Sequence, residues 1–145
     1  MSLDLNKYRN LFIEEATEHL SEMSSALLEL EKDSSSSEAI DQIFRMAHGI
    51  KGMAASLEYG SITEVSHCLE DRMSLIRDGG ELGAGEEVAL LFRGLETLEA
   101  MIAIVRETGE SPPPSFPAAV AFLEASRALA SADPAQSAKK KALTR

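Results

Sequence analysis

Apolar residues recur at steps of three and four along four long stretches of this chain, with short breaks between them. That spacing keeps each set on one face of a helix, which must then be buried against another helix. The first stretch opens at Asp4, a plausible N-cap, and its stripe is Leu5, Tyr8, Phe12, Ala16, Leu20, Met23, Leu27 and Leu30. Its opposite face carries Glu14, Glu15, Glu18, Glu22, Glu29 and Glu31. Asp33 to Ser37 reads as a turn, with one of its last serines capping the second helix. Ile40, Ile43, Phe44, Ala47, Ile50, Ala54 and Leu57 form the stripe of that helix. Glu58-Tyr59-Gly60-Ser61 should end it, with Gly60 as a left-handed cap. Ser61 with Glu64 would cap the third helix as a capping box. The third stripe is Ile62, Val65, Leu69, Met73 and Ile76, stopping before Gly79-Gly80. After a loop over 81–85, the fourth carries Val88, Leu91, Phe92, Leu95, Leu98, Ile102 and Val105. Gly109 to Pro114 cannot continue a helix. A shorter fifth segment from Pro117 to about Ala130 has Val120, Leu123 and Leu129 as anchors. The expected fold is all-α: an up-down-up-down four-helix bundle with an additional C-terminal fifth helix packed on its outside or extending one end.

At 145 residues the chain suffices for one domain with a sizeable core. That domain is expected over 1–131. From there the composition turns to Ala, Ser, Pro and Lys, so 132–145 reads as a flexible tail or the start of a linker. A single cysteine, Cys68, excludes an intrachain disulfide framework and suits a reducing compartment. There is no apolar run of membrane-spanning length and no signal segment, so a cytoplasmic protein without membrane insertion is expected. The net charge of −10 disfavours nucleic acid, whose binders displace counterions with lysines and arginines. Lys139, Lys140, Lys141 and Arg145 lie at the end, so the folded part is more acidic still.

On the second helix, His48 falls roughly 120–130° from the centre of the apolar stripe, at about 100° per residue. Asp41, Arg45, Gly52 and Ala55 share that polar side. Gly49 and Gly52 interrupt the same helix, each at a cost on the order of 1 kcal/mol relative to Ala. Access to the His48 ring is the simplest gain that offsets this. On the third helix, His67 and Glu70 are three apart and share a face, and antiparallel packing would bring Glu70 to His48. A carboxylate on one ring nitrogen fixes the tautomer and leaves the other nitrogen nucleophilic.

These residues carry a family resemblance. His48-Gly49-Ile50-Lys51-Gly52 resembles the H-x-x-K-G signature of histidine phosphotransfer (HPt) domains. Ala47 to Gly52 is similar to the A-H-S-I-K-G motif of the N-terminal phosphotransfer domain of CheA-type chemotaxis kinases, and Ser66-His67-Cys68-Leu69-Glu70 to that family's T-H-x-x-E. The likeness runs from Leu5 to about Leu129. It implies that His48 is phosphorylated through Nε2, that Glu70 orients it from Nδ1, and that Lys51 screens the phosphoryl oxygens. His67 is then a secondary polar neighbour. It also implies two partners: the ATP-binding domain of a histidine kinase, and receiver domains of the CheY or CheB type docking over the first and second helices. Arg45, Gly49, Gly52, Met53 and Ala55 are the candidate contacts for them. No Gly-rich nucleotide loop and no carboxylate trio for Mg²⁺ stands in the sequence. The domain is thus expected to be a phosphoacceptor and carrier that binds no cofactor, with ATP and Mg²⁺ supplied by partner domains of a histidine protein kinase.

Other readings compete. A free-standing phosphorelay protein would share both motifs, and a non-catalytic helical scaffold would explain the acidic first helix. A zinc site from His48, His67, Glu70 and Cys68 has permissive His-x-x-Glu spacing, but Cys68 points away on the helix wheel, and no metal is expected. His19 reads as structural filler and Cys68 as a small core-edge residue. Two departures bear on partner choice: Gly49 stands where CheA proteins often carry Ser, and Met53 to Glu58 replaces a more Gly-rich run.

Overall fold

The computed structural model describes residues 2–79, 83 and 85–132. Five helices make it up: α1 (Ser2–Lys32), α2 (Ser37–Ser56), α3 (Gly60–Gly79), α4 (Gly85–Thr108) and α5 (Pro117–Ala132). The short links at 33–36 and 57–59 fold the chain back on itself. In the resulting ring α1 packs on α2, α2 on α3, α3 on α4 and α4 on α1, while α5 lies outside against α3 and α4. This is the expected bundle with its fifth helix on the flank. The expected tail lies, from residue 133 on, outside the described residues, as does most of the 81–85 loop.

The core stripes of α2 and α3 follow the periodicity. Ile40, Ile43, Ala47, Ile50 and Ala54 face Ile62, Val65, Leu69, Met73 and Ile76, all buried, with Phe44 and Leu57 half-buried at the edge. The first stripe needs correction. Leu5 and Tyr8 are 55% and 58% exposed, because α1 has 31 residues against 20 in α2 and its first turns outrun the bundle. With Leu11, Met53 and Leu57 they line an open apolar groove between the start of α1 and the end of α2.

Several caps also differ from expectation. Ser36 does cap α2, its Oγ accepting from the Ala39 N–H at 3.3 Å. The left-handed residue after α2 is Glu58 (φ 60°) rather than Gly60, and α3 already begins at Gly60. Ser61 therefore does not cap it; its hydroxyl donates to the Pro112 carbonyl at 2.5 Å and ties α3 to the α4–α5 link. Asp4 is likewise no N-cap but lies within the first turn of α1, where its charge faces the positive end of the helix dipole.

The anchors of α5 are Ala119, Phe122 and Ser126, whereas Val120, Leu123 and Leu129 are only partly buried. Gly94 makes room for this docking. A Cβ there would lie 2.8 Å from the Phe122 ring and 2.7 Å from Leu69. Arg72, only 2% exposed, completes the joint: Nη1 donates to Glu87 and Nη2 to the Ser126 carbonyl, each at 3.3 Å. Cys68 donates to Ser126 Oγ at 3.0 Å, and burial pushes its thiol pKa up.

Candidate functional site

His48 stands outside the core because Ala47 and Ile50, on the opposite side of the helix wheel, take the inward positions. Its side chain is 64% exposed. Across the α2–α3 seam, Glu70 follows the fully packed Leu69 and has only 12% of its side chain exposed. One carboxylate oxygen lies 2.5 Å from His48 Nδ1 and the other 2.8 Å from Lys51 Nζ. Desolvation pushes the Glu70 pKa up, but the hydrogen bonds and charges of Lys51 and His48 together outweigh it and hold the carboxyl below its usual range. An ionised carboxylate only accepts, so Nδ1 carries a proton, and Nε2 is directed away from Glu70 to solvent. The site thus presents one oriented, solvent-facing imidazole.

The structure brings His48, Glu70 and Lys51 together and leaves His67 aside. His67 is 59% exposed and pairs along its own helix with Asp71, Nε2 to Oδ1 at 3.5 Å, so it touches neither ring nitrogen of His48. Its ligand atom lies within 4.8 Å of those of Glu70 and Asp71. Both Glu70 oxygens are already committed, so a cation there would compete with His48 and Lys51 for them. Cys68 faces α5, away from this cluster.

Of the candidate partner contacts, Arg45 is exposed and paired with Asp41 at 3.1 Å. Gly52 and Ala55 are exposed, and nothing lies within 4 Å of a Cβ at Gly52. Met53 is half-buried and borders the apolar groove. Gly49 is covered by His19, whose Nε2 would sit 2.9 Å from a Cβ at that position. His19 thus fills the room that a side chain at 49 would need. Two more residues escaped the sequence reading. Phe44, taken for core alone, lies with its ring parallel to that of His48, 7° between planes and 6.4 Å between centroids. Arg77 places its guanidinium 4.2 Å from the Phe44 centroid. The four-residue step from Phe44 to His48 was the available signal for the first; the second needs the cross-helix register.

An all-helical bundle that displays one oriented, solvent-facing imidazole on its second helix defines a class of histidine-bearing helical domains. The family model described as "Hpt domain" matches residues 7–108, and the chain belongs to that family. It is similar to the chemotaxis protein CheA of Bacillus subtilis, 35% identical over 108 residues, covering 74% of this chain and 16% of that protein. CheA of Klebsiella aerogenes is 37% identical over 101 residues, 70% of this chain and 15% of the relative. The chain therefore spans about one sixth of the length of these relatives. Among solved structures, the phosphorylated P1 domain of CheA3 in complex with CheY6 from R. sphaeroides superimposes with a TM-score of 0.76 at 24% identity, covering 84% of this chain and 94% of that one. No helix among the described residues is long and apolar enough to cross a membrane.

Proposed function

We propose that this chain is the phosphotransfer domain of a CheA-like two-component system, carrying a phosphoryl group on His48 from a histidine kinase to a response regulator in chemotaxis signalling. The observation that carries this reading is the Glu70–His48 Nδ1 bond, which leaves Nε2 as the exposed nucleophile of an Hpt-family bundle. As the ATP-binding domain of the kinase presents the γ-phosphoryl, the Nε2 lone pair forms the N–P bond while the P–O bond to the departing ADP breaks. The Nδ1 proton stays on the ring, and the Glu70 carboxylate balances the positive charge that grows there. In the second step an aspartate carboxylate of a CheY- or CheB-type receiver attacks phosphorus. The N–P bond breaks and its electron pair returns to Nε2. Lys51 lies one turn from His48 and shields the two or so negative charges that the phosphoryl group adds. ATP and Mg²⁺ belong to the partner domains in this scheme, and the reaction takes place in the cytoplasm.

The relatives named CheA support a chemotaxis kinase as the source, and the P1–CheY6 pair supports a receiver as the acceptor. Incubation with radiolabelled ATP and CheA-type catalytic domains should put acid-labile, base-stable label on the wild type and none on His48→Gln. Addition of CheY-type receivers should then discharge it. Undiminished labelling of His48→Gln overturns the assignment. Label that arrives only from a phosphorylated receiver would make the chain a receiver-fed relay instead.

A further inference from the structure

The cations of α2 and α3 are Arg45, Lys51, Arg72 and Arg77. Arg45 is engaged by Asp41 at 3.1 Å, Lys51 by Glu70 at 2.8 Å and the buried Arg72 by Glu87 at 3.3 Å. Arg77 is exposed, and no carboxylate among the described residues pairs with it. Its guanidinium rests instead on the ring of Phe44, the same ring that lies parallel to His48 one turn further along α2. A cation resting on an aromatic ring near the surface is held only weakly. A dianionic phosphoryl group on Nε2 would offer it charge-assisted hydrogen bonds, which are stronger than neutral ones. Lys51 is less free to answer that charge, because its ammonium already closes the Glu70 carboxylate that orients the ring.

We propose that Arg77 is a second phosphoryl-binding cation of this site, parked on Phe44 while His48 is bare and turned toward the phosphoryl oxygens once His48 is phosphorylated. The proposal rests on the phosphotransfer reading above. It divides the work between two cations. Lys51 stays on Glu70 in both states and screens the phosphoryl charge from there, whereas Arg77 serves the phosphorylated state alone.

The test is the equilibrium constant for ATP plus domain giving ADP plus phosphodomain, measured with a CheA-type catalytic domain for the wild type, Arg77→Ala and Arg77→Lys. An equilibrium constant does not depend on the catalyst, so a contact between Arg77 and the kinase would alter the rate and leave the constant unmoved. Arg77→Ala should lower the constant about two- to fivefold, the range of an exposed ion pair, and Arg77→Lys should restore most of it. The difference should shrink in about 0.5 M salt, where exposed charges are screened. In the wild type the Arg77 Nε–H resonance should shift on phosphorylation. An unchanged constant in Arg77→Ala together with an unmoved Arg77 resonance overturns the proposal while the phosphotransfer reading stands. Absence of acid-labile label on the wild type overturns that reading, and this proposal with it.

Discussion

Glu70 is the side chain on which the site turns, because it answers both His48 and Lys51 with one nearly buried carboxylate. Its lowered pKa has a definite sign in stability. The ionised carboxylate's contribution is fully present above the unfolded value near 4.5 and is lost as pH falls through the lower folded value. Urea unfolding at stepped pH should show an acid limb just below pH 4.5 in the wild type that is shallower in Glu70→Gln; parallel limbs would contradict the coupling. Glu70→Ala should slow phosphorylation of His48 while helicity by circular dichroism stays intact. Gly52 separates access from packing. Nothing lies near a Cβ there, so Gly52→Ala should raise stability by about 1 kcal/mol on helix propensity. If partners approach over this face, it should also slow phosphorylation, because the added methyl stands one turn from His48. An unchanged rate in that more stable variant would remove Gly52 from the partner surface. The meeting of His48 and Glu70 was legible because helical spacing fixes where each points on its own helix, whereas the closure of Glu70 by Lys51 needs the cross-helix register. The covering of Gly49 by His19 was not, since it depends on how α1 slides along α2. It does give a reason for glycine where CheA proteins often carry Ser: the room is taken by an imidazole.

Helices α2 and α3 could be drawn almost residue by residue because each buries a single stripe. Two other elements could not. The start of α1 has the right period but no partner long enough to cover it, so Leu5 and Tyr8 stay in solvent; periodicity reports a face and says nothing of whether a neighbour reaches it. In α5 the apolar residues fall on two faces, and the choice between them is made by the gap at Gly94 and by Arg72, neither of which a single-helix pattern reveals. Arg72 holds three helices at once through Glu87 and the Ser126 carbonyl. Replacing it by Leu leaves Glu87, with 13% of its side chain exposed, without its cation, and breaking such a buried pair costs roughly 3–5 kcal/mol. Chemical denaturation should record that loss, with amide exchange rising first in α5. The double change Arg72→Met with Glu87→Leu removes the stranded charge and should recover much of it. If the single variant is as stable as the wild type, the α3–α4–α5 joint does not depend on Arg72 and is held by the packing around Phe122.

The molecule divides its tasks between two flanks. The α2–α3 seam carries the His48–Glu70–Lys51 cluster, and the α3–α4 flank receives α5, which runs beyond the 7–108 span matched by the Hpt family model. Both flanks share α3, whose Leu69 packs inward against Gly94, as Phe122 does from α5, while Glu70 turns to His48. A four-helix core was readable from the sequence because four stripes need only one another. The position of α5 was not, because a fifth helix can be added to such a bundle in more than one groove. The same division makes stability and function separable. Phe122 is fully buried, and truncating it to Ala should cost about 3–5 kcal/mol through lost contacts and the cavity left beside Leu69. If α5 acts only as a brace, Phe122→Ala should lower the thermal midpoint by many degrees. Well below that midpoint it should still take label on His48 at the wild-type rate per folded molecule. Should the rate fall in step with stability, the packing of Leu69 would be setting the aim of Glu70, and α5 would belong to the working site rather than to its support.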